Sequence, residues 1–280
     1  RTTPDMYIIG SDSLEKAYMS GCAALLTDNG YFDAAQYPAS AVSAVTYHNN
    51  PVAYPLYFET TALLYNKTYL TEIASNIVNA ETAKTPDDES SGDSPDSDST
   101  DSEETEEQEA EQAYYDSLSI EDKIAYRVDK SIPVTFDDLL NFADNFDAPE
   151  GVETIFKWDV RDIFYNYFFV GEYIDMGGAD GDNPDEINVY NLDAINAMLR
   201  FQEMNQFFSF ESEDVTYEQV KNEFLEGKMV FATVTTDAVR LLREKSENKE
   251  FKYEYGFTSI PDLSEDMSTK SLSETTAVVI

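Results

Sequence analysis

The chain has 280 residues (31.6 kDa), is 42% hydrophobic with 19 Tyr and 17 Phe, and has a mean hydropathy of -0.44, enough to bury a packed core in one lobe or two. Its 56 acids against 18 Lys and Arg give a formal net charge of -38, which repels a phosphate backbone or an anionic membrane surface, and no Lys/Arg cluster marks a nucleic-acid footprint. One Cys and one His exclude an intramolecular disulfide and a Cys/His zinc site, and no run reaches the roughly 18–20 apolar residues of a membrane span.

Taken in order, Met6-Tyr7-Ile8-Ile9 ended by Gly10-Ser11-Asp12 predicts a buried strand feeding a loop, with Ser13 placed to cap a helix from Leu14. Met19-Ser20-Gly21-Cys22 superficially resembles a lipoprotein cleavage box, but Asp5, Asp12 and Glu15 interrupt the apolar core such a leader requires. Cys22 is therefore expected to be a small buried residue, with any export signal or lipid anchor removed or upstream of Arg1. His48-Asn49-Asn50 predicts a surface turn, and strands are expected over 51–58 and 61–66. From 81 to 112 the composition turns to Asp, Glu, Ser and Thr. Seventeen acids fall between Glu81 and Asp122. Such a segment cannot bury enough apolar surface to offset its ordering entropy, so a solvated, flexible insertion is expected over about 81–125. A weak cation- or partner-binding arm is the alternative there. Thr135 predicts an N-cap opening a helix through Leu139-Leu140, and 161–169 and 192–208 have helical apolar spacing. Gly227 is placed to stop a helix ahead of a strand Met229-Val230-Phe231-Ala232. Alternating helices and strands point to an α/β architecture with largely parallel sheets.

Most motif-like stretches fail on spacing. Counted from Asp180 as an EF-hand loop, the segment puts Pro184, Asp185 and Asn191 where a ligand, Gly and Glu are required, so a polar turn is expected. Gly177-Gly178 with Gly181 lacks the Lys of a phosphate loop, and no G-x-S-x-G accompanies the sole His48. With 56 acids, carboxylate pairs of the kind that hydrolyse glycosides arise by coincidence. The aromatics Trp158, Tyr165, Tyr167 and Phe168 beside Asp159, Arg161 and Asp162 carry more information. Carbohydrate sites combine flat aromatic faces with carboxylates, amides and Arg, although an ordinary aromatic core stripe has the same pattern.

Several blocks, in order, resemble the extracellular solute-binding proteins that include the maltose- and maltodextrin-binding proteins. They are Pro4-Asp5-Met6-Tyr7-Ile8 with Gly10-Ser11-Asp12, then Val52-Ala53-Tyr54-Pro55 through Glu59-Thr60, and Tyr65-Asn66-Lys67. Pro133-Val134-Thr135-Phe136, Gly177-Gly178, Phe224-Leu225-Glu226-Gly227-Lys228, Ile260-Pro261 and Ser273-Glu274-Thr275-Thr276 follow. The loop Thr233 to Asp237 falls where relatives often carry a stacking Trp, which this sequence lacks.

The resemblance implies a two-lobed periplasmic-binding-protein type II fold whose N-terminal strands precede Pro4 and whose C-terminal helices follow Ile280. Lobe I is expected over 1–58, lobe II over 59–260 with the acidic insertion, and a return to lobe I over 261–280, with crossovers near 58–60 and 260–262. It further implies an extracytoplasmic, monomeric substrate-binding component of an ABC importer, lipid-anchored at the cell surface or periplasmic. Such a protein captures a carbohydrate, expected to be an oligosaccharide, by hinge closure and presents it to a membrane permease. It is a binder rather than an enzyme, without cofactor or metal. The ligand-binding residues implied are Asp12, Glu59, Trp158, Asp162, Tyr165, Thr235 and Asp237. A sensor or surface scaffold of the same fold, or a carbohydrate-active enzyme, are the alternatives.

Overall fold

The computed structural model describes residues 4–26, 32–83, 102–179, 181–208 and 215–280, with 102–107 described by backbone alone. The first lobe opens with strand β1 (Tyr7–Gly10), a 3-10 turn at Ser11–Ser13 and helix α1 (Leu14–Met19). Ser13 occupies the N-cap of α1, but its side chain makes no cap hydrogen bond. Helix α2 (Ala39–Ala44) then leads to a hairpin of β2 (Thr46–Tyr47) and β3 (Asn50–Pro51). His48 and Asn49 take φ of 46° and 63° at its tip, the left-handed pair a two-residue hairpin needs, so the expected turn is present.

The strands expected over 51–58 and 61–66 are one strand, β4 (Tyr54–Asn66), which passes from the first lobe into the second. Helix α3 (Lys67–Ala83) follows directly, and Asn66 Oδ1 accepts the Tyr69 amide 3.2 Å away. Next come α4 (Ser102–Ser117), α5 (Ile120–Lys130), α6 (Phe136–Asp144), β5 (Thr154–Lys157), α7 (Ile163–Asn166) and α8 (Leu192–Phe207). The second lobe closes with α9 (Tyr217–Leu225), β6 (Met229–Thr235), α10 (Asp237–Glu247) and β7 (Tyr255–Thr258), before β8 (Ser273–Val279) returns to the first. The expected Thr135 cap is a full capping box with Asp138, and Gly227 (φ 77°) turns the chain out of α9 into β6.

The strand order is β1-β8-β4-β6-β5, with β7 on the other side of β4. The expectation of largely parallel sheets is overturned. β1–β8, β4–β8, β4–β6 and β4–β7 are antiparallel, and β5–β6 is the parallel pair among the described strands. The reason is β4 itself: β6, β7 and β8 all run back past this one long strand. Only β5 and β6 are joined by the long helical crossover that a parallel pair demands.

Among the described residues three cores follow from this arrangement. Leu14, Ala17, Val45, Tyr47, Val52 and Ala277 belong to the first lobe. In the second lobe the alternation of β4 sends Leu63 to one core, with Leu70, Phe136, Phe156 and Trp158, and Leu64 to another, with Phe224, Ala238 and Leu242. Strand β6 is buried along its whole length because helices cover both faces of the sheet. Leu263 is also buried in the second-lobe core, and β8 joins the first-lobe ladder from Ser273. We therefore place the return crossing near 271–273, later than the expected 260–262.

Two further expectations are corrected. Of the acidic stretch, 81–83 and 102–125 are helical apart from the short Leu118-Ser119 link, whereas 84–101 lie outside the described residues. Its carboxylates find partners on α5: Arg127 pairs with Glu81, and Lys130 lies 2.5 Å from Glu111. Tyr115 is buried, donates to Glu81 at 2.8 Å and accepts from Arg127 at 2.7 Å. Cys22 is exposed, not buried; after the left-handed Gly21 (φ 73°) it is Ala23 that enters the core.

Candidate functional site

Where β4 passes between lobes, acidic and aromatic side chains from distant parts of the chain converge. Glu59 lies directly opposite Glu274 in the β4–β8 register. Gly10 leaves room beside them: a Cβ there would sit 2.6 Å from Asp12 Oδ1 and 3.4 Å from Glu274 Oε1. On the second-lobe side, Tyr165 of α7 is half-buried and stacks on Tyr217 of α9, with ring centroids 4.6 Å apart at 24°. Burial pushes the Tyr165 phenol up, and the charges of Asp237, Glu59, Asp162 and Asp159 push it further. The phenol thus feels charges from both sides of the crossover.

The support of Tyr165 is local. Asp162 caps α7 by accepting the Phe164 amide at 2.9 Å. Asn166 donates to the Asp159 and Asp162 carbonyls at 2.9 and 2.6 Å, while its Oδ1 accepts from Trp158 Nε1 at 2.9 Å. Asp159 is buried and accepts the amides of Arg161 and Tyr217 at 2.9 and 3.0 Å, tying the segment that leads into α7 to the start of α9.

Thr235 and Asp237 belong to a tighter network beneath. The Tyr217 hydroxyl bonds Asp237 and lies 3.1 Å from Thr235 Oγ1, and Lys221 reaches Asp237 at 2.9 Å while its Nζ sits 4.4 Å from the Tyr217 ring centroid. Burial pushes the Tyr217 phenol up, and the hydrogen bond to Asp237 adds to this. For Asp237, burial alone would raise the carboxyl. Hydrogen bonds from Thr235, Tyr217 and Lys221, with the Lys221 charge, outweigh it and hold the group below its ordinary value. A carboxyl depressed in the folded state adds stability above its unfolded pKa, and that stability is lost as pH falls through the lower folded value. Thermal midpoints should therefore fall more steeply below about pH 4 in the native protein than in Asp237→Asn, as scanning calorimetry would show.

One sequence-derived candidate is not part of this cluster. Trp158 has no exposed surface and stacks on Phe156 in the second-lobe core (5.1 Å, 25°), so the core-stripe pattern is the correct one for it. Of the other candidates, Glu59 and Asp162 are charges felt by the Tyr165 phenol, Asp12 lies beside Gly10 near Glu274, and Thr235 and Asp237 bond the Tyr217 hydroxyl. Glu274, Tyr217 and Lys221 were not singled out by spacing. Glu274 lay within the resembling return-strand block, but its pairing with Glu59 depends on register. Among the described residues no group of His, Cys, Asp or Glu is arranged to hold a metal. Among the described residues four cavities lie elsewhere: 270 Å³ beside Pro133 and Asp262, 530 Å³ between α3, α4 and α5, 660 Å³ of apolar groove along α8, and 370 Å³ beside Lys67, Phe251 and Tyr253. None of them joins both lobes.

Solved structures that superpose on the chain include solute-binding proteins. The extracellular solute-binding protein of Staphylococcus aureus, in complex with maltose, superposes with a TM-score of 0.63 at 16% identity, over 99% of this chain and 57% of its own. A cyclo/maltodextrin-binding protein complexed with maltotetraose gives 0.61 at 16% identity, over 99% and 55%. The maltose-binding periplasmic protein of Listeria monocytogenes, in complex with maltose, gives 0.60 at 17%, over 100% and 57%. The chain has the fold of the maltose- and maltodextrin-binding proteins. It spans a little over half the length of these structures. No protein-family model and no curated protein sequence matches it significantly.

Proposed function

We propose that the chain captures a carbohydrate between its two lobes, as the extracytoplasmic binding component of an ABC importer, with an oligosaccharide as cargo. The observation that carries this reading is the half-buried Tyr165 ring stacked on Tyr217, whose phenol feels the charges of Asp237 and Asp162 from the second lobe and of Glu59 from the crossing strand. A ring face suits the apolar face of a pyranose, and carboxylates accept its hydroxyls. Glu59 and Glu274 face each other as like charges, which costs stability in an antiparallel pair. Hydroxyl donors from a sugar would offset that repulsion. In this reading Asp12, Glu59 and Glu274 bind from the first-lobe side, Asp162 and Tyr165 from the second, and Thr235 and Asp237 hold Tyr217 behind Tyr165.

Contacts to both lobes exist together only when the lobes close, so ligand shifts the population toward the closed arrangement. A membrane permease would then recognise the closed, monomeric form, and no bond is broken. Lipid anchoring or a periplasmic location are both compatible with this role. Among the described residues no helix is long and apolar enough to cross a membrane.

Calorimetric titration of the full-length protein with maltose and longer maltodextrins tests the reading, with product analysis alongside. Glu59→Ala is expected to weaken saccharide binding about tenfold, the size of a net hydrogen bond to a charged group, without lowering the thermal midpoint. Unchanged affinity would remove Glu59 from the site. A folded protein that binds no saccharide would remove the carbohydrate reading, and turnover would replace binder with enzyme.

A further inference from the structure

The first-lobe hairpin touches the second lobe through Tyr47. Its ring is buried in the first-lobe core and tilted against Tyr18 at 5.7 Å. Among the described residues its hydroxyl reaches two carboxylates: Asp182 Oδ2 at 3.2 Å, in the second-lobe loop that follows the left-handed Gly181, and, more weakly, Glu15 Oε1 at 3.5 Å on α1 of its own lobe. His48 Nε2 lies 3.8 Å from the same Asp182 oxygen. The left-handed pair His48 and Asn49 sets the tight turn that brings both rings to this loop.

A phenol has one proton to donate. Tyr47 can satisfy Glu15 or Asp182 fully, but not both, and one of those bonds stays within a lobe while the other spans two. We infer that Tyr47 is a two-position interlobe latch. Bonded to Asp182, it holds the lobes in the arrangement of the structure. When the lobes rotate away from that arrangement, it falls back on Glu15. Neither position leaves its hydroxyl unpaired, so the exchange avoids the penalty of an orphaned buried donor. The barrier then lies in the lobe rotation rather than in the loss of a hydrogen bond.

The latch rests on the two-lobed capture reading, which it regulates. Helix α1 carries Glu15 and begins directly after the turn that carries Asp12, so the proposed ligand contact and the fallback acceptor sit on one short rigid element. A ligand that draws on Asp12 therefore bears on the same element as the latch, through a packed connection with two discrete states.

Interlobe distances measured with spin labels test the latch without sugar. Met19→Cys and Tyr190→Cys, at positions 69% and 85% exposed, would carry the labels in a full-length Cys22→Ser background. Asp182→Ala is expected to shift the population away from the latched arrangement by about tenfold, the ratio a hydrogen bond to a charged group supports. Glu15→Ala, which removes the competing acceptor, is expected to shift it the opposite way, and to have no effect in a Tyr47→Phe background. Shifts of the same sign, a Glu15→Ala effect that persists with Tyr47→Phe, or an unchanged distribution would each overturn the latch. Failure here leaves sugar capture standing, because no saccharide is present. Opposite shifts in a protein that binds no saccharide would uphold the latch and remove only the capture reading.

Discussion

Trp158→Ala is expected to destabilise the fold by about 3–5 kcal/mol, the range for emptying a buried aromatic site. The ring has no exposed surface, and its neighbours Phe156, Phe169 and Phe201 come from β5, the 3-10 turn after α7, and α8. None of these can collapse into the vacated space without moving a secondary-structure element, so a cavity would remain. The substitution also leaves Asn166 Oδ1 without the indole donor that helps to fix α7. Chemical denaturation read by circular dichroism would measure the loss. A cost under about 1 kcal/mol would mean that the side chain is not packed as described. Trp158→Phe separates support from ligand contact, since it keeps most of the volume and should leave saccharide affinity within about twofold if the ring never meets a sugar.

Tyr165→Ala is expected to do the reverse: a modest loss of stability and roughly a tenfold to hundredfold loss of saccharide affinity. Tyr165 is only half-buried, so truncation empties less of the core. Its stacked partner Tyr217 stays anchored by Asp237 and Thr235, and the platform beneath survives. What disappears is the ring face between the first-lobe and second-lobe carboxylates, and an aromatic contact with a sugar ring is worth about 1–3 kcal/mol once area burial is included. Tyr165→Phe should retain most of the binding, because the face remains and only the hydroxyl is lost. Calorimetric titration of both variants decides the matter. Full affinity in Tyr165→Ala would move the sugar away from this ring, and equal losses in the two variants would assign the contribution to the hydroxyl.

The contrast between these aromatics is not legible in composition. Trp158 and Tyr165 stand seven positions apart in a single aromatic and acidic stretch, and composition gives them the same promise. Packing separates them. Trp158, directly after β5, is enclosed in a core built from α6, α8 and the turn after α7, whereas Tyr165 sits at the partly buried margin of that core and stacks on Tyr217 of α9.

The sequence by itself determined features whose physics is local. The Thr135–Asp138 capping box, the left-handed stop at Gly227 and the His48-Asn49 turn each depend on residues within a few positions of one another. The resembling blocks, taken in order, also anticipated the two-lobed fold. Only the tertiary structure decided that 54–66 form one strand, that its partners run antiparallel, that Glu59 faces Glu274, that Tyr165 rests on Tyr217, and that Cys22 lies outside while Ala23 lies inside. Each of these turns on which distant segment lies alongside. Register and strand direction are set by the joint burial of several faces at once, and no single window of sequence contains those faces.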